Sequence, residues 1–306
     1  MKGTIVKATG SQYGVLDETG ATVTCTIRGQ LRLKGFEATN PVVVGDRVEI
    51  EKEGSGVIGV ITELLDRKNY ILRKSVKLSK QRHIIAANMD KAYVIATLVL
   101  PRTSTGFIDR FLATAEAYSI PAGVIFNKAD LYSKDEKKIV EELKDMYEKI
   151  GYRCAIISAL NEKDIQSLRE LLKGKVNLFS GHSGVGKSTL INALIPELNL
   201  KTSEISGHHL KGTHTTTFAE MHRLPEGGFI IDTPGIREFG IIDFDRMEVS
   251  HFFPEIFKTG RNCKFNNCLH VNEAKCAVLD AISNGEISLS RYESYVSILN
   301  NEDSFR

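Results

Sequence analysis

A chain of 306 residues exceeds the roughly 100 to 200 of a usual single domain, so two or three domains are expected, one able to bury a sizeable core. Its 40 basic and 38 acidic residues leave a formal net charge of +2, which excludes a strongly polyanionic or polycationic protein and moves the question of partners to local patterning. Apolar runs such as YVIATLVL and GFIIDTPG are too short to cross a bilayer, and MKGTIVKATG lacks the apolar core of a signal peptide. No membrane association is expected, and the cytoplasm is the expected compartment. Five cysteines, three of them packed between Cys263 and Cys276, form an odd set that argues against a disulfide framework and for metal ligation; Cys25 and Cys154 read as core.

Residues 1–65 alternate β-branched and polar residues in GTIVKATG, YGVLDETG, ATVTCTIRG and DRVEIEKE, with Gly, Asp and Asn between them. This predicts a small all-β barrel. Five short strands fit an OB-fold, commonly a nucleic-acid binder, and the pattern leaves an SH3-like barrel open. Residues 66–82 read as a basic linker: RKNYILRKSVKLSKQR carries Arg67, Lys68, Arg73, Lys74, Lys77, Lys80 and Arg82 with no acidic residue, enough to neutralise several phosphates.

From 83 to 245 apolar strands alternate with helical segments, which predicts a parallel α/β sheet. The segment SKDEKKIVEELKDMYEKIG shows its start in the capping box Ser133 and Glu136, its expected apolar face in Ile139, Leu143, Met146 and Ile150, and its end in Gly151. From 246 to 306 a Cys/His cluster is interspersed with short helices, which predicts a third, small and mainly α domain.

Within the α/β region, GHSGVGKST (Gly181, His182, Ser183, Gly184, Val185, Gly186, Lys187, Ser188, Thr189) follows the strand VNLF and precedes the helical TLINALI, the context a phosphate loop requires. Small residues let backbone N–H groups face the phosphates, and the helix N-terminus adds partial positive charge. Lys187 is expected to reach the β- and γ-phosphates and Ser188 to ligate magnesium. Upstream, FNKAD follows the strand GVIF. In GTPases that this motif resembles, the Asp accepts two hydrogen bonds from guanine, the Asn fixes the loop and the Lys stem packs on the base. Carried over with Ala129 between them, these are Asp130, Asn127 and Lys128. Adenine offers no matching pair of donors. ISAL ends the next strand with Ser158 and Ala159, where GTPases place a backbone N–H on the guanine oxygen. IIDTPG supplies Asp232, suited to holding magnesium through water, and Gly235, whose N–H approaches a γ-phosphate. Between the phosphate loop and IIDTPG, GHHLKGTHTTT offers Thr213, Thr215, Thr216 and Thr217, of which Thr215 or Thr216 is expected to complete the magnesium shell.

The parts of a guanine-nucleotide site are all present, but the base reader precedes the phosphate loop. A closed set of loops around one sheet can be traversed from a different starting strand, so the chain reads as a circularly permuted P-loop GTPase.

The N-terminal barrel, the permuted NKAD, GHSGVGKST and DTPG motifs and the C-terminal Cys/His cluster together resemble the RsgA family of small-ribosomal-subunit GTPases over nearly the whole length. The resemblance implies a factor that binds the small ribosomal subunit and its ribosomal RNA late in maturation, with subunit-stimulated hydrolysis of GTP to GDP; a monomer is expected. Competing readings are an RNA-binding scaffold in which GTP is structural, and a permuted GTPase acting on the large subunit. Cys263, Cys268, His270 and Cys276, with four, one and five residues between them, form a closed tetrahedral set for one structural zinc, which matches the zinc site that the resemblance implies. Many GTPases orient the attacking water with a Gln after the DxxG glycine. Here Ile236 stands in that place, leaving the catalytic residue open among His182, His214 and Asp243.

Overall fold

The computed structural model describes residues 1–27, 41–52, 58–74, 82–200, 219–233 and 245–300. Strands β1 (Lys2–Thr9), β2 (Gln12–Asp17), β3 (Thr22–Ile27), β4 (Arg47–Lys52) and β5 (Ile58–Leu64) close on themselves in the order β1-β2-β3-β5-β4-β1. Every pairing is antiparallel except β3 with β5. That five-stranded Greek-key order is OB-like and resolves the choice that the sequence pattern left open. Alternate residues Ile5, Tyr13, Val15, Cys25, Val48, Ile50 and Ile61 fill the barrel, Cys25 among them as expected.

The barrel is fastened on its far side by residues expected to be linker. Arg67 donates from Nε and Nη2 to the two carboxylate oxygens of Asp46, both at 2.7 Å, so its charge is spent inside the fold. Lys68 pairs with Asp90 at 2.9 Å. Strand β6 (Tyr70–Lys74) pairs antiparallel with β7 (Arg82–Ala87) as a separate two-stranded sheet. The basic positions Lys77 and Lys80 lie outside the described residues. Gly45, at φ +89°, lies so close to β7 that a Cβ would stand 2.0 Å from the Ala87 carbonyl oxygen, which only glycine permits.

The α/β region runs β8 (Lys91–Ala96), α1 (Thr105–Ala117), β9 (Ala122–Phe126), α2 (Lys134–Ile150), β10 (Arg153–Ile156), α3 (Glu162–Leu172), β11 (Val176–Ser180), α4 (Lys187–Leu194), β12 (Glu220–Arg223) and β13 (Phe229–Asp232). Its strand order is β10-β9-β8-β11-β13-β12, parallel except for β12 against β13. Helices α1 and α2 cover one face through Phe107, Ile108, Phe111, Leu112, Val140 and Tyr147; α3 and α4 cover the other through Ile165, Leu168, Leu190 and Ile191. After building β9 and β10 to one side of β8, the chain returns to place β11 on the other. The carboxyl ends of β8 and β11 are therefore the topological switch point, where open α/β sheets bind ligands.

The capping box of α2 is present, with both Ser133 and Glu136 bonds made. Its buried face differs from expectation: Val140 and Tyr147 are fully buried, Leu143, Met146 and Ile150 flank them, and Ile139 is 48 % exposed. The register is set by the tyrosine, which a count of aliphatic residues passes over.

Strand β12 also pairs with β1, Lys7 opposite Glu220 with a 2.7 Å ion pair, so the barrel continues the α/β sheet. Helices α5 (Pro254–Gly260), α6 (Ala277–Ser283) and α7 (Leu289–Leu299) form the mainly helical C-terminal part. They enclose Phe252, Phe253, Ile256, Val278, Tyr295 and Ile298, and Ala113 of α1 joins that core. Among the described residues no helix is long and apolar enough to cross a membrane.

Candidate functional site

At the switch point Asn127 ties three loops together. Fully buried, it donates from Nδ2 to the Val185 carbonyl (3.0 Å), accepts from the Ala159 N–H at Oδ1 (3.2 Å) and receives the Tyr132 hydroxyl on its own carbonyl (2.6 Å). Gly186, at φ +86°, caps α4 beside it; a Cβ there would come within 2.6 Å of Asn127 Nδ2, so glycine is required on both counts. Lys128 adopts the left-handed region at φ +64° and sends its ammonium to the carbonyls of Gly184 (2.7 Å) and Leu100. Burial pushes that ammonium below the usual lysine range, with Asp130 opposing. Asp130 is exposed and accepts the Ser158 hydroxyl at 2.5 Å, while Ser158 N–H is held by Asp164 at 2.8 Å. Residues 127–130, expected to read the base, and residues 181–189, expected to cradle phosphates, thus meet despite the permuted order.

On the opposite side of the phosphate loop, Lys187 approaches Asp232 Oδ1 at 3.2 Å and donates to the Thr233 carbonyl. Asp232 is 6 % exposed, and its Oδ1, though ion-paired with Lys187, makes no hydrogen bond among the described residues, which leaves it able to accept from a water of a hydrated magnesium ion. Ser188 follows Lys187 in the first turn of α4, at the positive end of the helix. The ring of His182 lies against Phe107, centroids 3.7 Å apart at 31°. Thr213, His214, Thr215, Thr216, Thr217, Gly235, Ile236 and Asp243 lie outside the described residues.

The second cluster lies in the C-terminal part. The ligand atoms of Cys263, Cys268, His270 and Cys276 all fall within 4.8 Å of one another. A tetrahedral zinc with bonds of about 2.3 Å to sulfur and about 2.0 Å to nitrogen requires edges of roughly 3.8 Å and 3.5 Å. Cys263 and Cys276 sulfurs are 3.9 Å apart, and His270 Nδ1 lies 3.6 Å and 3.4 Å from them. The donor set and its spacing fit zinc. His270, at φ +58°, is held by its surroundings: Tyr292 donates to its carbonyl, Tyr295 to that of Leu269, and the Glu273 carboxylate accepts the N–H groups of Leu269, Val271 and Asn272. A Cβ on Gly260 would come within 3.0 Å of His270 Cε1 and Nε2, so this glycine makes room for the imidazole.

Sequence reasoning missed Tyr132, Asp164, the Leu100 carbonyl, Phe107 and Glu273. A tyrosine two residues past Asp130 and an acidic residue in the first turn of α3 carry no motif, and backbone carbonyls leave no trace in composition.

The RsgA GTPase family model matches residues 64–242, and the RsgA N-terminal domain model matches residues 2–61. The chain is 54 % identical over 303 residues to a protein of Bacteroides fragilis called small ribosomal subunit biogenesis GTPase RsgA, covering 99 % of this chain and 97 % of the relative. A protein of Christiangramia forsetii with the same name is 51 % identical over 310 residues, covering 100 % and 98 %. Among solved structures, YjeQ from Thermotoga maritima superposes with a TM-score of 0.81 at 35 % identity, covering 100 % and 99 %. YloQ, described as a circularly permuted GTPase, superposes at 0.76 and 28 %, covering 100 % and 96 %. With the two family models matching residues 2–61 and 64–242 and relatives similar over 99 % of the chain, the chain belongs to the RsgA GTPase family and is a GTP hydrolase.

Proposed function

We propose that this GTPase acts in the cytoplasm as a monomer on the small ribosomal subunit, binding its ribosomal RNA late in maturation and hydrolysing GTP to GDP and phosphate at a rate that the subunit stimulates. The observation that carries the reading is the full-length similarity to small-subunit biogenesis GTPases, which extends through the OB-like barrel and the Cys3His cluster as well as the nucleotide site.

In this reading Asp130 accepts guanine donors, Lys128 lays its stem along the base while its ammonium pins Gly184, and Asn127 fixes both loops. The N–H of Ala159, bonded to Asn127 Oδ1 in this structure, would turn to the guanine oxygen when the nucleotide binds. N–H groups of residues 181–189 cradle the phosphates, and Lys187 exchanges its contacts with Asp232 and Thr233 for the β- and γ-phosphates. Ser188, Thr215 or Thr216, and Asp232 through water would hold magnesium, which when bound neutralises charge developing on the phosphates. Gly235 would offer its N–H to the γ-phosphate. Ile236 has no polar group to orient water, so turnover of the isolated protein is slow, and a docked subunit supplies or orders the missing group. Groups supplied in trans to GTPases accelerate them about a thousandfold or more.

The test is GTP hydrolysis with and without purified small and large subunits, together with small-subunit affinity in the GTP and GDP states at two salt concentrations. Stimulation by the small subunit and tighter, salt-sensitive binding in the GTP state are expected. Turnover unmoved by either subunit would favour a scaffold in which GTP is structural. Stimulation by the large subunit alone would redirect the assignment to that particle.

A further inference from the structure

Helix α1 makes two contacts on opposite sides. In its first turn Phe107, 7 % exposed, lies against His182 of the phosphate loop. Asp109, two residues on and therefore about 200° around the helix, faces the C-terminal part. It is fully buried and receives three donors: Arg291 Nη1 at 2.9 Å and Ser294 Oγ at 2.6 Å, both from α7, and the Tyr147 hydroxyl of α2 at 2.8 Å. Arg291, also fully buried, is held from its other side by Glu255 of α5 at 2.7 Å and lies 4.6 Å over the Phe253 ring. A sequence separation of 182 residues between Asp109 and Arg291 is closed by an ion pair with no solvent around it.

Apolar side chains of similar volume would hold α1 to α7 about as firmly; a charged pair adds one defined seating, because any other leaves a buried charge unpaired. The contact is therefore either made or broken and does not slide. The helix is rigid over the two-residue step from Phe107 to Asp109, so the seating of α7 is passed to the ring that braces the phosphate loop.

We propose that α1 is a positioning element for the phosphate loop: the grip of α7 on Asp109 sets, through Phe107, the place of His182 and of the loop that cradles the phosphates. The C-terminal part is thereby coupled to the nucleotide without passing through residues 234–244. Phe107 and Ser294 are positioning residues, not catalytic ones. Linkage makes the coupling reciprocal, so nucleotide binding tightens α7 on α1, and a partner that engages the C-terminal part changes nucleotide affinity. The inference rests on reading residues 181–189 as the phosphate loop.

The test uses the full chain. Ser294→Ala removes one donor to Asp109 without unpairing Arg291, and Phe107→Leu keeps apolar volume while removing the ring. Two quantities are read, the dissociation constant of fluorescently labelled GDP and the imidazole NMR signals of His182. Ser294→Ala should shift the His182 signals and weaken GDP binding on the order of threefold, and Phe107→Leu should do so by more. The double variant should be no worse than Phe107→Leu alone, since both changes break one connection. His182 signals and GDP affinity unmoved by Ser294→Ala, or effects that simply add in the double variant, overturn the proposal. Should Ser294→Ala fail to fold, Tyr147→Phe removes a different donor to the same carboxylate and is read the same way. Absence of GDP binding in the unaltered protein would sink the phosphate-loop reading instead, and the His182 signals would still decide whether α1 transmits.

Discussion

Asn127 and Val185 are joined by one buried hydrogen bond of 3.0 Å from the side-chain amide to the carbonyl oxygen, although 58 residues separate them and the chain meets them in the reverse of the usual GTPase order. The bond explains why permutation leaves the site intact: it depends on which loops touch, not on which is synthesised first. Asn127→Ala would leave the buried Val185 carbonyl unpaired, at a cost of about 1–3 kcal/mol, and would also free the half-buried Ala159 N–H. GTP and GDP affinities should fall together, by at least about tenfold, because both nucleotides need the same loop contact. Titration with labelled GTP and GDP checks this; a loss confined to GTP would point to a γ-phosphate role instead.

Asp130 is exposed and accepts the Ser158 hydroxyl. Asp130→Asn exchanges an acceptor for a donor. Guanine, which presents donors at that edge, should bind less well, and xanthine, which presents an acceptor, should bind better. Competition between GTP and xanthosine triphosphate reads the exchange directly. Equal affinities before and after would remove residues 127–130 from the base site.

Zinc removal should unfold the C-terminal part, since structural zinc contributes roughly 10–16 kcal/mol of apparent binding free energy in small domains. Cys268→Ser should lose zinc by elemental analysis and lose helix signal by circular dichroism. GDP binding should persist in weakened form as α1 loses its partner. Gly260→Ala is a finer probe, because the added Cβ would press on Cε1 and Nε2 of His270 at 3.0 Å without altering a ligand. It should lower zinc affinity with all four ligands present. Zinc-free reduced protein that retains its C-terminal helices would contradict the prediction.

How much of this was legible in the chain follows from what each feature depends on. That residues 181–189 lie between a strand and a helix and that residues 127–130 follow a strand could be read, because both placements follow from residue types at fixed local spacing. The barrel's five strands could be read from alternation, but not their order: the parallel pairing of β3 with β5 is a neighbour relation with no local signal. The basic run was read as open to phosphates, whereas Arg67 is neutralised by Asp46, 21 residues earlier. The Asp109–Arg291 pair could not be foreseen from composition, which records a charge in an apolar helix and not the residue that answers it.

The capping box of α2 gives the fold a pH dependence whose sign can be worked out. Glu136 accepts the Ser133 N–H at 2.7 Å, and Ser133 Oγ accepts the Glu136 N–H at 3.3 Å. The Ser133 backbone N–H is the main cause that holds the Glu136 carboxyl below the usual range, with the Ser133 side chain assisting. A depressed folded value means that the ionised form is favoured by folding. The contribution is therefore present above the unfolded value of about 4.3 and is lost as pH falls through the lower folded value. The first turn of α2 should then fray in acid while the rest of the sheet holds. The consequence reaches the site, because Tyr132, immediately before Ser133, donates its hydroxyl to the Asn127 carbonyl at 2.6 Å and accepts the Leu98 N–H at 3.3 Å. Ser133→Ala should cost about 1 kcal/mol of helix stability but keep most of the acid sensitivity, since the backbone N–H that chiefly holds the Glu136 carboxylate is retained, whereas Glu136→Gln, which has no ionisable group, should abolish it. Hydrogen exchange at amides 134–137, corrected for intrinsic rates, measures both effects. Protection that is equal at pH 7 and below pH 4 in the unaltered protein would show that Glu136 does not hold the helix start.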